Sequence, residues 1–314
     1  MRIARPQDPG AGPGDARRVW RSALLLCAAM VAGLTLGVLV PGAEAARALA
    51  LPALAVQTVV SVGSLPPLAP GPAVSGGLVL LGIHLLVATV PLALLGLAVG
   101  AGDPIGFGLV VVAVAPPAAL IPTYALVLEV ESGPLLVFCL VGYALSLVAT
   151  PLALLAVAGQ TVGLGPIATT LAAGLIGPSI LSRLGRRWIL KAGERLRRGI
   201  VYVAVFVITL GLGGGLLGGQ GRGWPGWPAL ALATAAMLAR TFGGGALAGL
   251  LAPRRLRAAA PLAGAFKNVA LAAAVSGTLL GPAASLPALV SFPAELACFM
   301  VMAGRRSRRE AAGA

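Results

Sequence analysis

The chain has 314 residues, 58% of them hydrophobic and only 10% charged, with a mean hydropathy of +0.98. An ordinary soluble domain carries about 25% charged residues, and no single core hides this much apolar surface, because part of every fold faces water. The composition excludes a secreted disulfide scaffold, a disordered chain and an ordinary cytosolic enzyme, and describes an all-α polytopic membrane protein. Lipid-facing barrel strands would alternate polar and apolar over ~10 residues. The apolar runs here are near-continuous and ~18–25 residues long, the length of a helical span.

In chain order, residues 1–18 are rich in Pro, Gly, Asp and Arg and are expected to be disordered. Ten apolar spans follow, over 22–40, 48–65, 74–100, 105–128 and 135–159, then 161–184, 200–217, 227–251, 258–280 and 283–303. They form one transporter-like domain over 19–304, closed by a basic tail over 305–314. Arg17, Arg18 and Arg21 before the first run, with Ala43-Glu44-Ala45 after it, resemble a signal peptide. The run is longer than a usual signal core, so a retained helix is the expectation. Cys27, Cys139 and Cys298 fall inside apolar runs without CxxC spacing and read as buried thiols.

The net charge is +14, from 23 Lys+Arg against 9 Asp+Glu. Its placement decides its meaning. Arg47 and Arg222 fall on one side of the expected membrane, and Arg240 and Lys267 fall inside spans. Every other cation lies on the opposite side. That asymmetry is the positive-inside pattern and sets both termini in the cytoplasm, as expected of a multi-pass inner (plasma) membrane protein. The cations are topology signals that face anionic lipid headgroups, and a nucleic-acid partner is not expected.

The spans divide into two groups of five, over 22–159 and 161–303. Five is odd, so the second group enters the membrane inverted, and inverted repeats place their sites at discontinuous helices near the midplane. Pro116-Pro117 and Pro122 interrupt span four, and Gly264-Ala265-Phe266-Lys267-Asn268 follows Pro261 in span nine. Proline removes a helix hydrogen bond and clashes with the preceding turn. Backbone opened at membrane depth must line a cavity or be buried in protein. A crossing of broken helices four and nine is therefore expected.

Four ionisable residues lie inside spans: His84, Arg240, Lys267 and Glu295. Intramembrane Arg, Lys or Asp costs ~2.5–3.5 kcal/mol on insertion scales, which makes such residues functional candidates. Lys191 and Lys267 are the only lysines in an Arg-dominated chain. A lysine beside a helix break can hold an anion, replace a metal cation or carry a proton; the plain alternative is a structural lysine paired to a carboxylate or to opened carbonyls. Glu295 is expected to pair with Lys267 or Arg240, and Arg240 is expected to brace the bundle more than to bind an anion. His84 reads as a hydrogen-bonded interior histidine, and Glu129 and Glu131 as solvated. Asn268 offers an amide at the break, and Thr123 and Tyr124 offer hydroxyls after Pro122. The Gly33/Gly37, Gly211/Gly215 and Gly245/Gly249 pairs suit close helix packing. Walker A, HExxH, metal-cluster and nucleophile-elbow patterns are missing, so neither an enzyme nor a cofactor is expected, and active transport would be ion-coupled.

The run from Gly108 through Pro116-Pro117 to Pro122 is similar to the broken fourth helix of the sodium–bile acid symporter family. Gly177-Pro-Ser-Ile-Leu-Ser-Arg183 resembles the end of that family's sixth helix. Phe266-Lys267-Asn268, followed by Gly281 through Pro287, resembles its helices nine and ten. The resemblance implies a ten-helix fold of two domains, with substrate bound between them. Where the family binds sodium through a Glu and a Gln of helix nine, Ala263 and Lys267 stand in register, and Ile121-Pro122 stands for a Ser-Asn pair. Sodium coupling is therefore not expected. The related arsenite permeases have an essential Cys where this chain has Pro117, while Glu295 falls on their helix-ten Glu. The leading expectation is a secondary transporter of a small organic anion, sodium-independent, with Lys267 as cation substitute or proton carrier. Metalloid or drug efflux, and a non-transporting receptor or scaffold, are the alternatives. The sequence sets no oligomeric state.

Overall fold

The protein is described by a computed structural model over residues 13–64, 71–100, 102–158, 172–217 and 226–313. Arg2, Arg5, Arg222 and the first part of the sixth expected span lie outside the described residues. Among the described residues the fold is all-helical, with one isolated backbone bridge in place of any strand. Five helices are long and apolar enough to cross a membrane: Trp20–Leu39, Pro72–Val99, Ser132–Ala156, Trp227–Leu251 and Ala283–Arg308.

α1 (Pro13–Leu39) opens on a proline, whose missing N–H costs nothing in a first turn, so 13–18 are helical where disorder was expected. α2 (Arg47–Ser64) follows after a short 3-10 turn. α3 (Pro72–His84) and α4 (Val90–Val99) form one long rod joined by a π-turn at Leu85–Thr89. α5 (Pro104–Val114) and α6 (Ile121–Val127) are two halves of an interrupted helix. Asp103 caps α5, its carboxylate accepting from the N–H groups of Ile105 and Gly106. α6 ends in a left-handed cap at Glu129 (φ 52°), with Val130 N–H returning to Ala125 O. α7 (Ser132–Ala158) completes the first half.

After a π-turn at Ala172–Ile176 come α8 (Gly177–Leu184), a short α9 (Arg186–Lys191) and α10 (Glu194–Leu217). α11 (Trp227–Leu238) and α12 (Gly244–Leu251) form a second rod around a π-turn at Ala239–Gly243. α13 (Ala260–Ala265) and α14 (Val269–Leu280) are a second interrupted helix. α15 (Pro282–Gly313) runs on through the expected tail, whose Arg, Glu and Ala residues favour helix.

Packing falls into two groups. α1 and α2 pack on α10, and α8 packs on α2. The two rods, the two interrupted helices, α7 and α15 form the other group, and α1 against α15 and α2 against α6 join them. Small residues permit the close approaches. A Cβ on Gly33 of α1 would lie 2.1 Å from Thr209 Oγ1 and 2.5 Å from Phe206 O of α10, so only glycine lets these backbones meet.

Candidate functional site

The two interruptions meet. The stretch 115–120 between α5 and α6 lies against 266–268 between α13 and α14, joined by an antiparallel bridge of Pro117 and Lys267. Asn268 N–H donates to Pro116 O at 2.8 Å.

A hydrogen-bond account of the breaks explains the residues around them. In a continuous helix the N–H of residue 117 would serve Ala113 O, but Pro117 has none. Lys267 Nζ serves it instead, at 2.5 Å. The same ammonium donates to Ala115 O at 3.2 Å and to Thr89 Oγ1 at 2.8 Å. Val114 O accepts from Thr150 Oγ1 at 3.0 Å. In the second break, Lys267 N–H turns to Glu295 Oε1 at 3.2 Å and leaves Ala263 O free of its helical donor. His84 Nδ1 takes that carbonyl at 2.6 Å. A carbonyl oxygen only accepts, so Nδ1 carries the proton. Each half-helix thus ends on a nitrogen donor from elsewhere in the chain: α5 on the Lys267 ammonium, α13 on the His84 ring. A cation there also faces the negative end of the α5 dipole.

Lys267 is 2% exposed. Its Nζ has three oxygen partners, two carbonyls and one hydroxyl, the number that an ammonium's three N–H groups can serve. Lys267, His84, Thr89 and Pro117 share a cavity of about 50 Å³.

Glu295 pairs with Arg240, the second of its two expected partners, and not with the Lys267 ammonium. Arg240 Nη2 lies 2.6 Å from Glu295 Oε1, and both side chains are buried. The same Nη2 donates to Ser291 Oγ at 2.6 Å and Thr241 Oγ1 at 2.9 Å. Arg240 comes from the π-turn of the second rod, so the pair ties that rod to α15 and, through Lys267 N–H, to the break. Arg240 Nε and Nη1 are buried with no hydrogen-bond partner.

The other expected residues separate. Asn268 Oδ1 accepts from Leu271 N–H at 3.1 Å and caps α14. Pro122 stands in the first turn of α6 and starts that helix. Tyr124 lies in the aromatic core, stacked on Phe299 with ring centres 4.3 Å apart and tilted on Phe266 at 4.8 Å. Thr123, one residue earlier, faces the other way, onto a second cavity.

That cavity, of about 280 Å³, lies between α2, α6 and α10 with Ser22 of α1 at its wall. Ser61, Ser64, Thr123, Arg197, Tyr202 and Glu129 line it. Gln57, fully buried, donates through Nε2 to Thr123 Oγ1 at 2.8 Å, and Ser61 Oγ and Thr123 Oγ1 share a hydrogen bond of 2.6 Å. Sequence reasoning passed over Gln57, Ser61 and Arg197. A lone carboxamide in an apolar span was the available signal for Gln57. Arg197 was hidden among the topology charges. Among the described residues no group of three His, Cys, Asp or Glu is placed to hold a metal ion. Cys27, Cys139 and Cys298 are free and buried.

In comparison with known proteins, no protein-family model matches the chain and no curated protein matches it.

Proposed function

We propose that this chain is a secondary transporter of a small organic anion, working by alternating access and without sodium, on a divergent sodium–bile acid symporter-like fold. In this reading ten membrane helices form two inverted five-helix repeats, with both termini cytoplasmic. The matched order of π-turned rod, interrupted helix and long helix in the two halves supports the repeat. The two packing groups supply the two bodies that move against each other, and the 280 Å³ cavity lies where they meet.

The single observation that carries the reading is the Lys267 ammonium held by two opened carbonyls and a hydroxyl at the meeting of the two breaks. Such an oxygen shell suits a small cation, and here the cation is part of the chain. A protein that carries its cation covalently has no need to recruit one, which supports sodium-independent transport. Lys267 acts as a fixed positive charge that holds the crossing and draws an anion toward the gap between the two bodies. Arg240 and Glu295 brace the second rod, and Asn268 and the prolines shape the crossing.

Alternating access is tested without knowing the substrate. Ser64→Cys in a background lacking Cys27, Cys139 and Cys298 is labelled with a membrane-impermeant maleimide, in vesicles of both orientations. Labelling from both sides is the expected result. Labelling from one side only would replace transport with the receptor or scaffold reading. Thermal stability of the purified protein in sodium and in choline should be the same; stabilisation by sodium would overturn sodium independence.

A further inference from the structure

We propose that α2, α8 and α9 form a seat for one anionic phospholipid, with an acyl chain in a groove beside α2 and the headgroup on the basic turn that follows α8. Two observations meet there. The first is a groove of about 390 Å³ between α2, the π-turn at Ala172–Ile176 and α8. Val56, Val59, Ala173, Gly177, Pro178 and Leu181 line it, and Leu181 is 60% exposed, so the groove is open to its surroundings. All of its lining side chains are apolar. A hydrocarbon chain enters such a groove without losing a hydrogen bond, whereas a polar ligand would lose its hydration for nothing. The second observation is charge. Residues 177–198 hold seven Arg or Lys against one carboxylate, Glu194, and Glu194 is already paired with Arg198.

The groove and the charges adjoin. Val59 and Val60 line the groove, and Gly63 stands about one helical turn further along α2. A Cβ on Gly63 would lie 2.4 Å from Ile189 Cδ1 and 3.4 Å from Ser182 O. Ile189 thus holds α9 against α2 at the end of the groove, while Arg187, Trp188 and Lys191 are exposed. Trp188 is 77% exposed, and Lys191 Nζ stands 5.4 Å from its ring centre. An exposed indole beside basic side chains suits the headgroup layer of a bilayer, and cations there favour anionic over zwitterionic lipid. A second copy meeting this face through the same face would set like charge against like charge.

The test titrates the purified full chain, in a neutral detergent, with dioleoyl phosphatidylglycerol, with dioleoyl phosphatidylcholine and with glycerol 3-phosphate as a headgroup without chains. Bound lipid is counted by native mass spectrometry, and the melting curve of each variant reports its folding. Phosphatidylglycerol should bind about tenfold or more tighter than phosphatidylcholine, as two cations worth about fivefold each allow. Glycerol 3-phosphate should not compete. Arg187→Gln with Lys191→Gln should remove the preference and leave phosphatidylcholine binding unchanged. Ala173→Phe, which fills the groove, should weaken both lipids about fourfold or more, the value of one buried CH₂, and keep their ratio. Arg254→Gln with Arg255→Gln, an exposed basic pair elsewhere on the chain, should change neither. Equal binding of the two lipids, a preference that survives loss of Arg187 and Lys191, or an equal loss in the Arg254 and Arg255 control would overturn the proposal. Binding untouched by Ala173→Phe would overturn the groove as its seat. A dimer that Ala173→Phe dissociates would give the groove to a second copy and overturn it as well.

Discussion

Lys267 Nζ lies 2.5 Å from the carbonyl oxygen of Ala113, a group 154 residues away in the chain. Pro117 denies that carbonyl its helical donor, and a lysine from the other interrupted helix replaces it. The pairing links the main-chain chemistry of one break to the side-chain charge of the other.

Removing the tethered cation should expose the oxygen shell. Lys267→Met leaves Ala113 O and Ala115 O without their donor, at about 1–3 kcal/mol for each buried group, and should lower the melting temperature by several degrees. Lys267→Gln is gentler and leaves room for a free cation. Its uptake should fall about tenfold or more in choline, and sodium should partly restore it. Equal uptake in sodium and choline would show that the shell does not act as a cation site.

The buried pair Arg240–Glu295 should behave as one unit. Breaking such a pair by removing one partner costs about 3–5 kcal/mol, while replacing both with apolar residues is often neutral or stabilising. Arg240→Met and Glu295→Met should each melt well below wild type. The double variant should recover part of the loss, since it removes a guanidinium whose Nε and Nη1 are unpartnered but still leaves Lys267 N–H without Glu295 Oε1. Additive losses across the cycle would argue for independent roles.

His84 should tolerate asparagine better than leucine. Asparagine can place an amide N–H near the position of Nδ1 and keep the bond to Ala263 O. His84→Leu fills the edge-on contact with Phe138 but leaves that carbonyl bare. The expected difference is about 1–3 kcal/mol, read as the gap between the two melting temperatures. Equal melting would make the bond dispensable.

Gly264→Ala should disrupt the packing of α13 on α12, because its Cβ would lie 2.4 Å from Gly244 O and 2.6 Å from Ala248 Cβ. Overpacking of this kind costs about 1–3 kcal/mol or more. Gly82→Ala meets nothing within 4 Å and should be neutral or slightly stabilising, as alanine is the better helix former. The yield of monodisperse protein in mild detergent separates the two.

Topology is open to direct labelling. A single cysteine at Gly193 should react from the cytoplasmic side, and one at Gly281 from the opposite side. The reverse, or reaction of both from one side, would break the ten-span reading.

Much of the fold was legible. Five of the ten expected apolar runs contain a helix long and apolar enough to cross a membrane, and the expected span 227–251 coincides with the rod Trp227–Leu251. Two prolines in tandem and a lysine after a short apolar helix marked both interruptions. The π-turns were not legible, because a single widened turn leaves hydropathy unchanged. Pro122 and Pro261 were grouped with the breaks, but both stand in first helical turns, where a proline lacks nothing. Thr123 and Tyr124 were grouped as neighbours in sequence. About 100° of helical turn separates adjacent side chains, and it sends one to a cavity and the other to the aromatic core.

By itself the sequence determined that the chain forms helices, several of them long and apolar enough to cross a membrane, where two helices break, and which few charged groups are buried with them. Those follow from local chemistry: hydropathy over a span, a missing N–H at proline, the cost of a charge in a dry interior. Only the tertiary structure decided who answers whom. Glu295 had two candidate cations and took Arg240. His84 found a carbonyl 179 residues away, and Arg197 left the topology charges for the wall of a cavity. Each choice depends on which freed backbone group comes within about 3 Å of which donor, a distance set by helix packing that no stretch of sequence contains.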